Sequence, residues 1–223
     1  AIIAGQMGFS VGRINLLVKS AILHDIGALK LQQLPDAEDL DDGTKEVVKK
    51  NTQETLDRYG DLDEEVLRLI TQMQELYTRE SDAEIPAGLK ESVNANILYV
   101  ADAYDRMTAM KSFEEPTSEV KAVRELLADE ERYNKKIVNA LIHGISILYP
   151  GVCVELSNGE KGLVITENED NIFEPTVLDF RNNNLYDLSD PSVKQTIEIA
   201  DVMKTMDNRI KLDKSLLEEY QAN

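Results

Sequence analysis

Up to Leu148 the apolar residues of this chain return at helical spacing, and after Tyr149-Pro150-Gly151 they alternate. That single change of period divides the chain into a helical part and a strand part. In the first, Ser10 is placed to cap a helix whose apolar positions are Ile14, Leu17, Ala21 and Ile22, with Gly27 as its stop. Thr44 to Tyr59 reads as a helix closed by Gly60, and Asp61 or Asp63 caps the next, through Val66, Ile70 and Met73 towards Tyr77. Glu91 to Lys111 gives the longest helical pattern, with Ile97, Leu98, Ala101, Tyr104 and Met107 on its stripe, and Ser118–Asp129 and Asn134–Leu148 give two more. In the second part, Val152–Leu156 and Leu163–Thr166 flank Asn158-Gly159, the strongest short hairpin signal. Pro175–Phe180 and Leu185–Leu188 read as two further strands. Asp190-Pro191 then opens a helix to Met206, and 212–221 reads as a last short helix. The expected fold is mainly α: a helical bundle over 1–149, a small antiparallel β unit over 150–189 and a helical tail over 190–223.

Charge narrows the partners. The chain of 223 residues has a formal net charge of −18. That argues against a nucleic-acid polymer or an anionic membrane surface as partner, because both are held by a positive field. Membrane insertion is not expected, since no apolar run is long enough. Cys153 is the one cysteine, so no internal disulfide is possible, and a reducing cytoplasm is the expected location. Pro35 to Gly43 loosely alternates carboxylates but lacks ordered calcium-loop spacing, which favours a solvated loop. Ala1-Ile2-Ile3-Ala4 opens without methionine in what reads as mid-helix, so the expectation is a piece of a longer protein.

The chemistry-bearing residues are few. His24-Asp25 ends an apolar run, Leu23-His24-Asp25-Ile26-Gly27, and Asp102 lies far along the chain on the long apolar helix. An imidazole and two carboxylates are the donors a divalent cation takes. The first stretch matches L-H-D-I-G. Val100-Ala101-Asp102-Ala103-Tyr104-Asp105-Arg106-Met107-Thr108 matches V-A-D-x-Y-D-A-L-T. Tyr149-Pro150-Gly151 with Val154 to Glu160 resembles the β tail that follows such domains. On these residues the chain resembles the HD-GYP branch of the HD superfamily over about 1–190. The resemblance implies a helical fold around a two- or three-metal centre that hydrolyses cyclic di-GMP in bacterial signalling.

The departures from that pattern set the functional expectation. Ala28 stands where the family has lysine, and Asn51 where it has a ligand histidine. Gln72-Met73-Gln74-Glu75 fits the opening of Q-H-H-E, so Met73 and Gln74 replace two more histidines. The G-x-G-Y of the signature is missing. The first ligand histidine of the family would fall before Ala1. Lys111 is at best a residual phosphate contact where the family has arginine, and Glu114 replaces the other. His24, Asp25 and Asp102 would hold one ion weakly and cannot hold a bridged pair. No cofactor is expected beyond at most one weakly bound divalent metal.

Nothing else in the chain replaces that centre. His143 has no partner at ligand spacing and reads as a surface or packed residue. Cys153 reads as core, and Met73, Met107 and Met110 as packing. The expected function is therefore a catalytically degenerate signalling domain, a regulatory or interaction module. Its expected partner is a signalling protein or an N-terminal sensor or receiver domain, with a cyclic dinucleotide as a possible ligand. The alternatives are residual single-metal phosphodiesterase activity and a receptor that binds cyclic di-GMP without cutting it.

Overall fold

The structure is a computed structural model, and it describes residues 1–31, 41–78, 84–110 and 115–203. The chain divides into two units, one of Ala1–Thr117 with Ala122–Ile145, the other of Ser118–Lys121 with Ser146 onward. The fold is mainly α, with a small antiparallel sheet following the helices, as the period change predicts. No described helix is long and apolar enough to cross a membrane.

The first unit is built from α1 (Ile2–Gln6), α2 (Val11–Leu23), a 3₁₀ helix (Ile26–Lys30), α3 (Asp42–Tyr59), α4 (Glu64–Tyr77), α5 (Ala87–Lys90), α6 (Val93–Thr108), α7 (Glu119–Ala128) from Ala122 on, and α8 (Lys135–Ile145). Side-chain caps fix several starts: Ser10 accepts from the Arg13 amide, Asp41 from Thr44 and Asp63 from Glu65. Gly60 ends α3 at φ +63°, the left-handed cap that glycine supplies. Leu56, Val66 and Ile70 form a buried cluster against which Leu16, Leu23, Ile26, Leu62 and Leu67 pack. That cluster joins α2, α3, α4 and the 3₁₀ helix, and α4 also packs on α6.

Four points differ from the sequence reading. Gly27 does not stop α2, which ends at Leu23; it lies inside the 3₁₀ helix, where α3 approaches its backbone. Helix α3 starts at Asp42, because Asp41 satisfies its first amides, so Asp42 and Gly43 leave the acidic loop; the rest of that loop lies outside the described residues. Among the described helices α3 is the longest, at 18 residues against 16 for α6. On α6 the buried face runs through Ile97, Val100 and Ala103, and Ala101 is exposed.

The second unit carries β1 (Cys153–Leu156), β2 (Lys161–Thr166), β3 (Thr176–Asp179), β4 (Leu185–Asp187), α9 (Pro191–Lys194) and β5 (Ile199–Val202). The sheet order is β4-β3-β2-β1-β5, and its recorded pairings are antiparallel. Asn158-Gly159 makes the β1–β2 turn, with Gly159 at φ +80° and Cys153 opposite Leu163. The helix expected over 191–206 is a correction. It stops at Lys194, and Ile199–Val202 becomes a fifth strand along β1. The reason is tertiary: β1 has an open edge to fill, and Ile199 is fully buried there. The short helix expected at 212–221 lies outside the described residues.

Candidate metal centre

His24 is the C-terminal cap of α2, and Asp25 follows it at the start of the 3₁₀ helix. Asp102 lies in the second half of α6. Packing around α4 brings these segments together. His24 Nε2 lies 3.4 Å from Asp102 Oδ1. Nδ1 lies 2.8 Å from the Ala21 carbonyl oxygen. A carbonyl only accepts, so Nδ1 carries the proton and Nε2 is the nitrogen turned to Asp102. In the charged ring Nε2 carries a proton as well and presents it towards Asp102.

Asp25 does not complete the group. Its carboxylate is 64% exposed and lies 3.8 Å from Nδ1, the nitrogen already engaged. The two carboxylates therefore attend different nitrogens of one ring. Among the described residues, no three His, Cys, Asp or Glu side chains converge on one point as a metal-binding group.

The residues at the positions where the HD-GYP pattern has histidine or lysine have structural roles here. Met73 is 1% exposed and belongs to the core. Gln74 is buried and its Nε2 donates to the His24 carbonyl at 2.8 Å, tying α4 to the end of α2. Asn51 Nδ2 makes a long contact of 3.5 Å with the Gly27 carbonyl, while its own carbonyl accepts from Thr55 Oγ1 at 2.6 Å. Ala28 sits in the 3₁₀ helix, its amide donating to the Asp25 carbonyl. Two residues on, Lys30 reaches the Asn51 carbonyl at 3.3 Å and Glu54 at 3.8 Å. His143 is exposed on α8. Cys153 is half-buried, and burial pushes its thiol pKa up. Lys111 lies outside the described residues.

Sequence reasoning missed Arg106. Its Nε lies 2.9 Å from Asp102 Oδ2, with the N–H turned off the line to that oxygen, so the contact is an ion pair rather than an aligned hydrogen bond. The signal was present: Asp102 and Arg106 are four residues apart on one helix, the spacing at which such pairs meet.

Burial opposes charging His24. The Asp102 contact, with the fields of Asp102 and Asp25, outweighs it and raises the imidazole pKa above its ordinary 6.5. A raised folded-state value stabilises the fold below the unfolded pKa, and that increment is lost as pH rises through the folded value. The stability difference between the native chain and His24→Gln is therefore expected to be full below about pH 6.5 and to shrink at higher pH. Urea titrations across that range measure it. A difference that grows with pH would contradict the ion pair.

Residues 1–107 match the family model of the HD domain. No curated protein matches the chain. HD domains are typically metal-dependent hydrolases, with imidazoles and carboxylates clamped on their ions. Among the described residues, one imidazole nitrogen faces one carboxylate, and the second oxygen of that carboxylate is held by a guanidinium, an arrangement short of the donors a metal pair takes.

Proposed function

We propose, on the premise of an HD-type helical domain over residues 1–107, that this chain is a degenerate HD-GYP-like signalling domain acting as a regulatory or interaction module. The observation that carries the reading is that, among the described residues, no group of metal donors converges on His24. Two-metal hydrolysis of a phosphodiester needs ligands enough to clamp both the attacking and the leaving oxygen. Here Met73 has gone to the core, and Gln74 holds a backbone carbonyl. Met73 fills the core and Gln74 ties α4 to the end of α2, which supports a scaffold kept for its shape.

An interaction role also draws support from apolar side chains left in water beside the vestigial centre. Ile22, next to the end of α2, is 69% exposed, and Leu29 in the 3₁₀ helix is 84% exposed. Single exposed apolar residues are ordinary, but two of them flank the HD pair in sequence. A signalling protein, or a sensor or receiver domain, is the partner class this reading favours.

The test is turnover of cyclic di-GMP with excess manganese or iron, comparing the native chain with His24→Ala. The expected result is no turnover above that variant. Robust turnover that disappears in His24→Ala would overturn the reading in favour of a phosphodiesterase. Calorimetric binding of cyclic di-GMP without turnover would instead favour a receptor.

A further inference from the structure

Arg106 stands where the pattern V-A-D-x-Y-D-A-L-T has alanine. One helical turn after Asp102, it lays Nε 2.9 Å from Asp102 Oδ2, and the other oxygen faces His24 Nε2 at 3.4 Å. Its guanidinium carbon lies 4.6 Å from the ring centroid of Tyr77, at the end of α4. Two different elements thus place one cation: α6 carries it and α4 supplies the aromatic face. Asp102 is mostly buried, and a carboxylate in that setting needs a counter-charge.

Resting on the degenerate-centre reading above, we propose that the Arg106 guanidinium is the resident counter-cation of Asp102, occupying the place at that carboxylate which a divalent ion would need. A guanidinium stays charged at all ordinary pH values. A divalent ion at ligand distance from Oδ2 would sit against that fixed positive charge, and like charges repel strongly in a partly buried site. The ion enters only if Arg106 leaves both Asp102 and Tyr77. The chain is thereby made independent of metal, since Asp102 is neutralised from within.

The experiment follows thermal unfolding of the full chain during titration with Mn²⁺, starting from EDTA. The native chain is expected to show no saturable rise in midpoint. Arg106→Ala is expected to start lower in EDTA and to recover with Mn²⁺, binding it about tenfold or more tightly than the native chain. Adding Asp102→Asn to that variant should abolish the response. Arg106→Lys, which keeps the charge, should stay indifferent to metal.

Arg106→Gln keeps a polar side chain and part of the aliphatic stem, loses the charge, and should respond to Mn²⁺ as the alanine variant does. Equal responses of the native chain and Arg106→Ala overturn the proposal. So does a response that survives Asp102→Asn, or a loss of fold in both neutral variants that Mn²⁺ does not reverse. Turnover of cyclic di-GMP by the native chain would defeat the functional reading. Equal Mn²⁺ responses without turnover would defeat only the role given to Arg106.

Discussion

Gly27→Ala is expected to cost this chain about 3 kcal/mol or more of stability. Gly27 lies buried in the 3₁₀ helix, its amide donating to Thr52 Oγ1 at 3.0 Å. A methyl group there would come within 2.6 Å of Thr52 Oγ1, and closer still to the Thr52 amide nitrogen and the Val48 carbonyl oxygen. The last two are backbone atoms of α3, in mid-helix, so they cannot move aside without breaking helical hydrogen bonds. The 3₁₀ helix has to lift off α3 instead, losing the Thr52 bond and carrying Asp25 with it. For a domain whose total stability is on the order of 5–15 kcal/mol, such a loss is a large share. Gly88→Ala is the matched control: it lies in α5 with open space around its Cβ position, and alanine suits a helix better. Urea midpoints should fall sharply for the first variant and hold or rise slightly for the second. Equal midpoints would mean that the close approach to α3 does not matter.

Glycine 27 also shows how far the sequence could be read. Its place after L-H-D-I was visible, and a helix stop was the reasonable expectation from local rules. What it does instead depends on α3, whose approach no local rule reports. The helices themselves were legible because their apolar stripes repeat over many turns. The Asn158-Gly159 hairpin was legible because two residues determine its geometry. Strand β5 was not, because Ile199–Val202 is a strand only by virtue of the open edge of β1. In the candidate centre, the histidine and the two aspartates were found by motif. Their arrangement was not, since which ring nitrogen faces which carboxylate is settled by packing. Arg106 could have been found by spacing alone. Spacing alone gives such a pair little weight, because an Asp–Arg pair on a helix is commonly solvated and of small effect. Its ring contact with Tyr77 comes from another helix and is invisible in the local sequence.

Placing a histidine where the HD-GYP pattern has one is not expected to build a metal centre. Met73→His should destabilise the fold by about 2–4 kcal/mol, from lost apolar burial and an imidazole without assured partners. Met73 is among the large side chains fully buried in the core, on the face of α4 that also buries Leu69, Ile70 and Leu76. A metal-binding imidazole there would have to turn a ring nitrogen towards His24 and Asp102, while the helix directs this position into apolar packing. The penalty should deepen with acid. A histidine buried among apolar groups has its pKa lowered in the folded state, so stability falls as pH drops through the unfolded value near 6.5. Adding Gln74→His removes the donor to the His24 carbonyl, loosening α2 from α4 without supplying the remaining donors. Because metal ligands act as a unit, two introduced histidines facing an intact Arg106 should yield neither stoichiometric Mn²⁺ binding nor turnover of cyclic di-GMP. Unfolding at about pH 5 and about pH 8, with Mn²⁺ titration of the double variant, measures both effects. Native-like stability of Met73→His together with one tightly bound ion in the double variant would show that α4 can turn histidines at these positions to the site.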